Sequence, residues 1–523
     1  MILGGAARAT AERAPGAARA SLDEVFRHLA ARNPDALALA DPPNRRSFTD
    51  GEPRRLSYGE ADRVVSAIAA RLQQMGLPTD STVGVQLPNT VEHIVAILGV
   101  LRAGMIAAPL PLLWRRADTV TALARIGAKA VISCGHVGGV NYALPAMQVA
   151  AEVFSVRYVC AFGTDLPDGV VPFDDLFAAA PSETVAPPER DSHASAHVAI
   201  ITFDVGESGP VAVARSHGEV FAGGLAVLLE GGLKQNTNII SAYAPASFAG
   251  VSLTLVPWLL SGGTLVLHHP FDPEIFDRQR RELGCATLIL PGTVAMRLPA
   301  AHAPAGAEPA TVIAAWRAPE SVAVQRSWPE TDGPLVDVSI YGEAALAPAR
   351  RTQGGRPRPL AAGPLRLPRD GAGGVVVAEF MRTEAGTLAV RGPMVPLHAF
   401  PPGIERAALP RIADEHGVWI DTGYGCRAGA AGNGLAVIAP PDGIVTVGGC
   451  RFPLRDLREV ASRIDRDASV AALPDPVLGQ RLIGNAADRA TMQAALTAVG
   501  VHPLVVEAFR DRGGEADASA EAG

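Results

Sequence analysis

The stretch LSYGEADRVVSAIAARLQQMG (56–76), continued by VGVQL (83–87), LPNTVEHIVAILGVLRAGMIAAPL (87–110) and IGAKAVIS (126–133), alternates helix and strand signals. Ser57 with Glu60 three residues on makes a capping box. Ala61, Val64, Val65, Ile68, Leu72 and Met75 then recur at helical spacing until Gly76 closes the helix. VGVQL reads as a short strand, a helix runs through Ile94, Leu98 and Leu101 to Gly104, and a strand follows near 105–110. After another helix comes KAVIS at 129–133. Strands alternating with amphipathic helices predict α/β layers on a mainly parallel sheet.

Outward from that core, 523 residues imply a large multi-lobed body or several domains. Hydrophobic residues at 48% and charged residues at 19% are globular composition, while 54 Gly and 43 Pro call for many turns. A net charge of −7 and the lack of any Lys/Arg block argue against nucleic acid or a membrane surface as partner. Cys134, Cys160, Cys285, Cys426 and Cys450 are widely spaced with no CxxC pair, so reduced thiols in a cytoplasm are expected. Residues 250–267 are apolar but broken by Pro257, Gly262 and Gly263, which predicts a helix and a buried strand instead of a membrane span. Residues 1–20 read as a disordered tail, 21–438 as a large body, 442–511 as a small α/β domain and 512–523 as a second disordered tail. The Pro- and Gly-rich stretch at 429–443 marks the boundary between the two domains.

In register with these elements, SGGTLVLHHPFDPE (261–274), YGEAA (341–345), WIDTGYG (419–425), VTVGGCRFPLRDLREV (445–460) and LPDPVLGQR (473–481) follow in order. Together with the opening stretch they resemble the adenylate-forming acyl-CoA synthetases. The resemblance implies a large AMP-binding body and a small C-terminal domain on a hinge. It also implies a chemistry: a carboxylate attacks the α-phosphate of ATP, giving an acyl-adenylate and pyrophosphate, and a thiol such as CoA then displaces AMP. That chemistry gathers negative charge, so it calls for backbone donors, lysines and Mg²⁺.

The family's phosphate loop, TSGTTGxPKG, leads to a Ser-His pair. DVGESGPVA (204–212) matches it, with Ser216-His217 downstream. The resemblance makes Gly206, Ser208, Gly209, Arg215 and His217 nucleotide-binding candidates, joined by Pro319, Tyr341, Gly342 and Thr422. The loop lacks one residue before Pro210, Val211 holds the lysine position, and Asp204 and Glu207 replace threonines. Of 46 basic side chains only Lys129 and Lys234 are lysine, and neither falls at a family lysine position. A like-charge contact near 4 Å costs about 4 kcal/mol at an effective dielectric near 20, so weakened triphosphate binding is expected. Arg215 is either a compensating cation or a surface arginine. Tyr341 is either an adenine platform or a core residue with Glu343 in solvent. Ala344 and Ala345 stand at the family's threonine and magnesium-binding glutamate, and Tyr424 stands at its ribose-binding aspartate, with Asp421 nearby but out of register. Ala439-Pro440 replaces a Gly-Arg pair, and Ser247 or Phe248 falls near the acyl pocket.

By the same resemblance Asp442 is the hinge, and Gly448, Gly449 and Arg451 approach the CoA arm. The chain closes on VVEAFRDRGGEADASAEAG (505–523) without the family's terminal Gly-Lys, so a truncated C-terminal domain is expected. No catalytic residue and no metal ligand is assigned. AMP or ATP, Mg²⁺ and CoA are cofactors by resemblance only. The expected partners are a small carboxylate, acyl-adenylate or acyl-CoA, with a carrier protein or an intact synthetase beside them. The leading expectation is a homologue that has lost adenylation and works by binding. The alternatives are an ATP-dependent CoA or carrier-protein ligase built on arginines, and an acyl transferase that needs no ATP.

Overall fold

The computed structural model describes Met1 and residues 19–178, 185, 188, 190, 192–206, 209–298, 309–352, 354–367, 374–402, 409–415, 417–429, 434–475 and 477–510. Most of the N-terminal tail, the tail after 510, and Glu207 and Ser208 of the phosphate-loop match lie outside the described residues.

The capping box at Ser57 and Glu60 forms as the sequence predicts, and the helix it opens runs Tyr58–Gln74. Its apolar face packs on the helix Val91–Arg102, which is buried along its whole length. Strands Thr82–Val85, Ile106–Pro109 and Ala130–Cys134 fall within a few residues of the positions read from the sequence. They lie in a seven-stranded sheet that is parallel except where Gly209–Ser216 pairs antiparallel with Val198–Gly206 at one edge. The apolar segment near 250–267 is the helix Phe248–Ser261 followed by the buried strand Leu265–Leu267. Among the described residues no helix is long and apolar enough to cross a membrane.

A second sheet of eight strands runs in the order Ala345–Arg350, Leu335–Tyr341, Thr311–Trp316, Thr287–Pro291, Ile239–Ser241, Leu265–Leu267, Leu37–Ala40, Arg55–Ser57. Its inner pairs are parallel and its outer pairs antiparallel. Tyr58 stacks on Trp258 at 5.8 Å, and both rings donate to the Gly263 carbonyl, at 2.8 and 3.0 Å. That ties the first helices to the Gly-Gly turn before Leu265.

A third sheet, entirely antiparallel, takes seven strands between Leu360 and Ala439. The sequence reading placed this region in the large body, with a boundary at 429–443, and assigned it no strands. Leu360–Ala361 and Arg411–Asp414 are short, and the long strand Gly417–Ala428 carries Gly423 and Gly425 inside it, which weakens the period-2 signal. Beyond it, Val445, Val447, Leu457, Val470, Leu482, Met492, Leu496 and Phe509 form a separate hydrophobic cluster. Two hairpins and the helices Leu454–Ile464 and Arg489–Val499 surround that cluster.

Candidate functional site

In an open parallel sheet the residues that follow the carboxyl ends of the strands face a common crevice. Here those residues are Tyr243, Arg317 and the run Tyr341-Gly342-Glu343, which follow or end Ile239–Ser241, Thr311–Trp316 and Leu335–Tyr341. The hairpin carrying Asp204 and Arg215 meets them, as does the C-terminal hairpin carrying Arg451.

The described residues of the stretch matched to a phosphate loop lie in a β-ladder on either side of 207–208. Asp204 pairs with Val211, Val205 with Pro210 and Gly206 with Gly209, in unbroken register from Ile200 outward. Phosphate loops bind because successive backbone N–H groups are free and point at the anion. In this hairpin the groups facing across the ladder bond each other, and Val211 is 8% exposed.

Arg215 is not the surface arginine that was one of its two readings, because it is fully buried on the inward side of that hairpin. Its Nη2 donates to the carbonyls of Glu343 and Ala344, and its guanidinium lies 3.7 Å from the centre of the Phe248 ring. Burial pushes its pKa down to about 10, so it remains a cation at neutral pH. Phe248 is thus the floor under a cation, and Ser247 caps the helix Phe248–Ser261 through a 3.0 Å bond from the Gly250 amide.

Glu343 is 2% exposed, so its placement in solvent is corrected. Its Oε2 accepts from the Phe248 amide at 2.8 Å. Burial pushes its carboxyl up, against the opposing pull of Arg317 and Arg215. Arg317 donates to the Tyr243 hydroxyl at 2.5 Å and to Ser247 Oγ. Burial lowers its pKa, but Tyr243 and Glu343 outweigh that effect and hold it above the ordinary value. Sequence reasoning missed Arg317 and Tyr243. Their signal was positional: both follow the end of a buried parallel strand, and Arg317 lies two residues before the candidate Pro319.

Asp204 is not an unpaired carboxylate. Its Oδ2 accepts from the Glu343 amide at 2.7 Å, and its Oδ1 is ion-paired with Arg451 Nη1 of the C-terminal hairpin. The side chains of that pair are 9% and 8% exposed. Arg451 follows Gly448 and Gly449, which have φ of 55° and 83° and join Ile444–Val447 to Cys450–Pro453. Positive φ at both central residues is the type I′ geometry of a two-residue hairpin, and glycine supplies it without strain.

The other candidates are placed as follows. Tyr341 is 2% exposed and lies 5.7 Å from both Phe380 and Tyr424, so neither face is open to an adenine in this arrangement. Tyr424 is 1% exposed, and burial pushes its pKa up to about 12. Thr422 gives its hydroxyl to the Leu388 carbonyl at 2.6 Å, while Asp421 accepts from Thr387 at 2.9 Å and from the Gly423 amide at 2.9 Å. Ser216 and Glu219 form a capping box, and His217 Nδ1 accepts from the Leu22 amide at 3.1 Å. His217 therefore anchors the first helix and does not join the charged cluster. Pro319 opens a short 3₁₀ turn, and Asp442 is exposed in the turn between Gly434–Ala439 and Ile444–Val447.

The donor set does not fit a magnesium ion. Among the described residues no group of three or more His, Cys, Asp or Glu side chains could hold a metal, and Glu343 is flanked by guanidinium groups. Val211 stands at the lysine position of the matched stretch and is buried. The two cavities described lie elsewhere. One is lined by Ala196, Ala214, Ser216, Leu397 and His398, the other by Val213, Pro396, Leu409 and Arg411 among others.

A family model described as AMP-binding enzyme matches residues 26–359. The chain is 26% identical over 489 residues to 2-hydroxy-7-methoxy-5-methyl-1-naphthoate–CoA ligase of Streptomyces carzinostaticus, covering 88% of this chain and 83% of that one. It is 39% identical over 90 residues to a beauvericin nonribosomal cyclodepsipeptide synthetase of Gibberella fujikuroi, but spans only 3% of that protein's length. Among solved structures it is similar to the amide bond synthetase McbA of Marinactinospora thermotolerans, with a TM-score of 0.69, 18% identity, and 93% and 94% of the two chains covered. It is also similar to apo MbtA of Mycobacterium smegmatis, with a TM-score of 0.62, 23% identity, and 92% and 89% covered.

Proposed function

The chain belongs to the AMP-binding enzyme family, and from that membership we propose that it binds a ligand of the family's kind, an acyl group or a nucleotide fragment, without forming an acyl-adenylate. The observation that carries this reading is the strand pairing of Asp204 with Val211 and of Gly206 with Gly209, which commits the chain on both sides of 207–208 to a β-ladder. Three further features point the same way. Val211 stands where the family has a lysine, Ala345 where it has a magnesium-binding glutamate, and Asp204 is engaged by Arg451. Loss of a single electrostatic stabiliser typically lowers a rate by about a hundredfold or more. Several losses at one set of phosphates are a consistent pattern, even where they do not add in full.

One observation favours a second reading, a working CoA or carrier-protein ligase: Arg215, Arg317 and Arg451 converge on one place and could replace the absent lysine charge. Exchange of labelled pyrophosphate into ATP, run with a broad panel of carboxylic acids, separates the two. We expect background exchange, and background again for Val211→Lys, because one added lysine leaves the short loop and Ala345 unchanged. Robust exchange by the unaltered protein with any acid ends the first reading and establishes the second.

A further inference from the structure

The site's cations are not fully matched by acceptors. Arg215 Nε and Nη1, Arg451 Nε and the Tyr424 hydroxyl are buried with no hydrogen-bond partner among the described residues. Arg215 is 0% and Tyr424 1% exposed, and the Arg451 side chain 8%. Arg451 lies 5.8 Å from the Tyr424 ring centre, and Arg215 and Arg451 both feel the charges of Asp204 and Glu343, so these atoms belong to one cluster. Buried donors without acceptors are unfavourable, and several in one cluster mark a place suited to an additional acceptor.

Asp204 already acts as one acceptor there, and it joins two parts of the molecule. It belongs to the strand Val198–Gly206, whereas Arg451 belongs to a hairpin whose apolar residues pack in their own cluster. The pair lies against Gly342, where a methyl group would overlap Asp204 Oδ2 and sit 2.6 Å from Arg451 Nη1. Beside it the Gly448-Gly449 turn closes over Arg317: a methyl at 449 would lie 3.1 Å from Arg317 Cδ.

We propose that Asp204 is a built-in stand-in for a ligand anion. A ligand bearing one compact anionic group, a carboxylate or a phosphate monoester, takes Arg451 from Asp204, engages the unmatched donors of Arg215 and Tyr424, and releases the hairpin 444–453 from the body. Guanidinium groups suit both anions, because their planar forks match the spacing of the oxygens. Binding and release are then one exchange of partners. The inference needs an anion site only, and it stands whether or not pyrophosphate exchange is found.

Hydrogen–deuterium exchange of residues 444–453 in the full chain tests it, alone and with saturating inorganic phosphate, AMP or benzoate. The hairpin is expected to be protected in the free protein. Asp204→Asn should raise its exchange by roughly tenfold or more, since breaking one side of a buried pair is strongly unfavourable. A probe that binds should bring the unaltered protein to a similar level, and the contrast of phosphate and AMP with benzoate identifies which anion competes. Arg451→Gln removes the same pair from the other side and serves if Asp204→Asn does not fold. It should show the raised exchange with no further response to any probe. Protection unchanged in both variants overturns the proposal. So does a raised Asp204→Asn with no response to any probe, and so does a bound probe that increases protection.

Discussion

Arg215 holds its place by shape as much as by charge. Its flat guanidinium covers the Phe248 ring at 3.7 Å while one nitrogen serves the carbonyls of Glu343 and Ala344. An ammonium group has the charge without the plane or the fork. Arg215→Lys should therefore lose about 2 kcal/mol of stability, through the lost stacking and an unserved carbonyl. Urea unfolding followed by tryptophan fluorescence reads the loss, and a variant as stable as the parent would show that charge alone matters there. Asp204 illustrates the opposite lesson. Read by itself it is an anion that repels phosphate, whereas its ion pair with Arg451 and its bond from the Glu343 amide make it a bridge.

At the scale of elements, two hairpins and one strand end decide the site. The paired strands Val198–Gly206 and Gly209–Ser216 carry Asp204 and Arg215, and the hairpin Ile444–Pro453 delivers Arg451 through two glycines at positive φ. Between them Gly342, with φ of 56°, lets the chain leave Leu335–Tyr341 tightly enough for the Glu343 amide to reach Asp204. Gly342→Ala combines a left-handed backbone with direct overlap on Asp204, so a loss of about 2 kcal/mol or more is expected. The same substitution should loosen the hairpin at 444–453, seen as faster hydrogen exchange there, while the sheet at Thr82–Val85 keeps its protection. Uniform loss of protection across both regions would mean that Gly342 supports the fold at large and not the junction.

Across the whole molecule, buried neutral histidines set the acid response. Burial lowers the pKa of His217 to about 3 and of His93 to about 4. An unfolded chain binds those protons near pH 6.5, so below that pH it holds protons that the folded state refuses. Stability therefore falls as pH drops from about 6.5 towards the folded values. Between pH 7 and pH 5 each such histidine contributes a loss of about 2 kcal/mol. His217→Gln keeps an acceptor for the Leu22 amide but cannot titrate, so its unfolding free energy should fall by about 2 kcal/mol less than the parent's over that interval. An equal fall in both proteins would exclude His217 as a source.

What the sequence determined by itself was what depends on local period and spacing. The capping box at Ser57, the helix–strand alternation from 56 to 133 and the helix and strand around Pro257 each rest on neighbours within a few residues, and each formed where read. The ordered motifs likewise pointed to the family that the matching model identifies. The tertiary structure alone decided the site, because its contacts join residues more than a hundred positions apart. Arg451 meets Asp204 across 247 positions and Arg215 meets Glu343 across 128. A residue's charge is legible in a sequence, but its partner is not. Whether an aspartate repels a ligand or clasps an arginine, and whether an arginine is solvated or stacked on a ring, depends on what the folded sheets bring within hydrogen-bond reach.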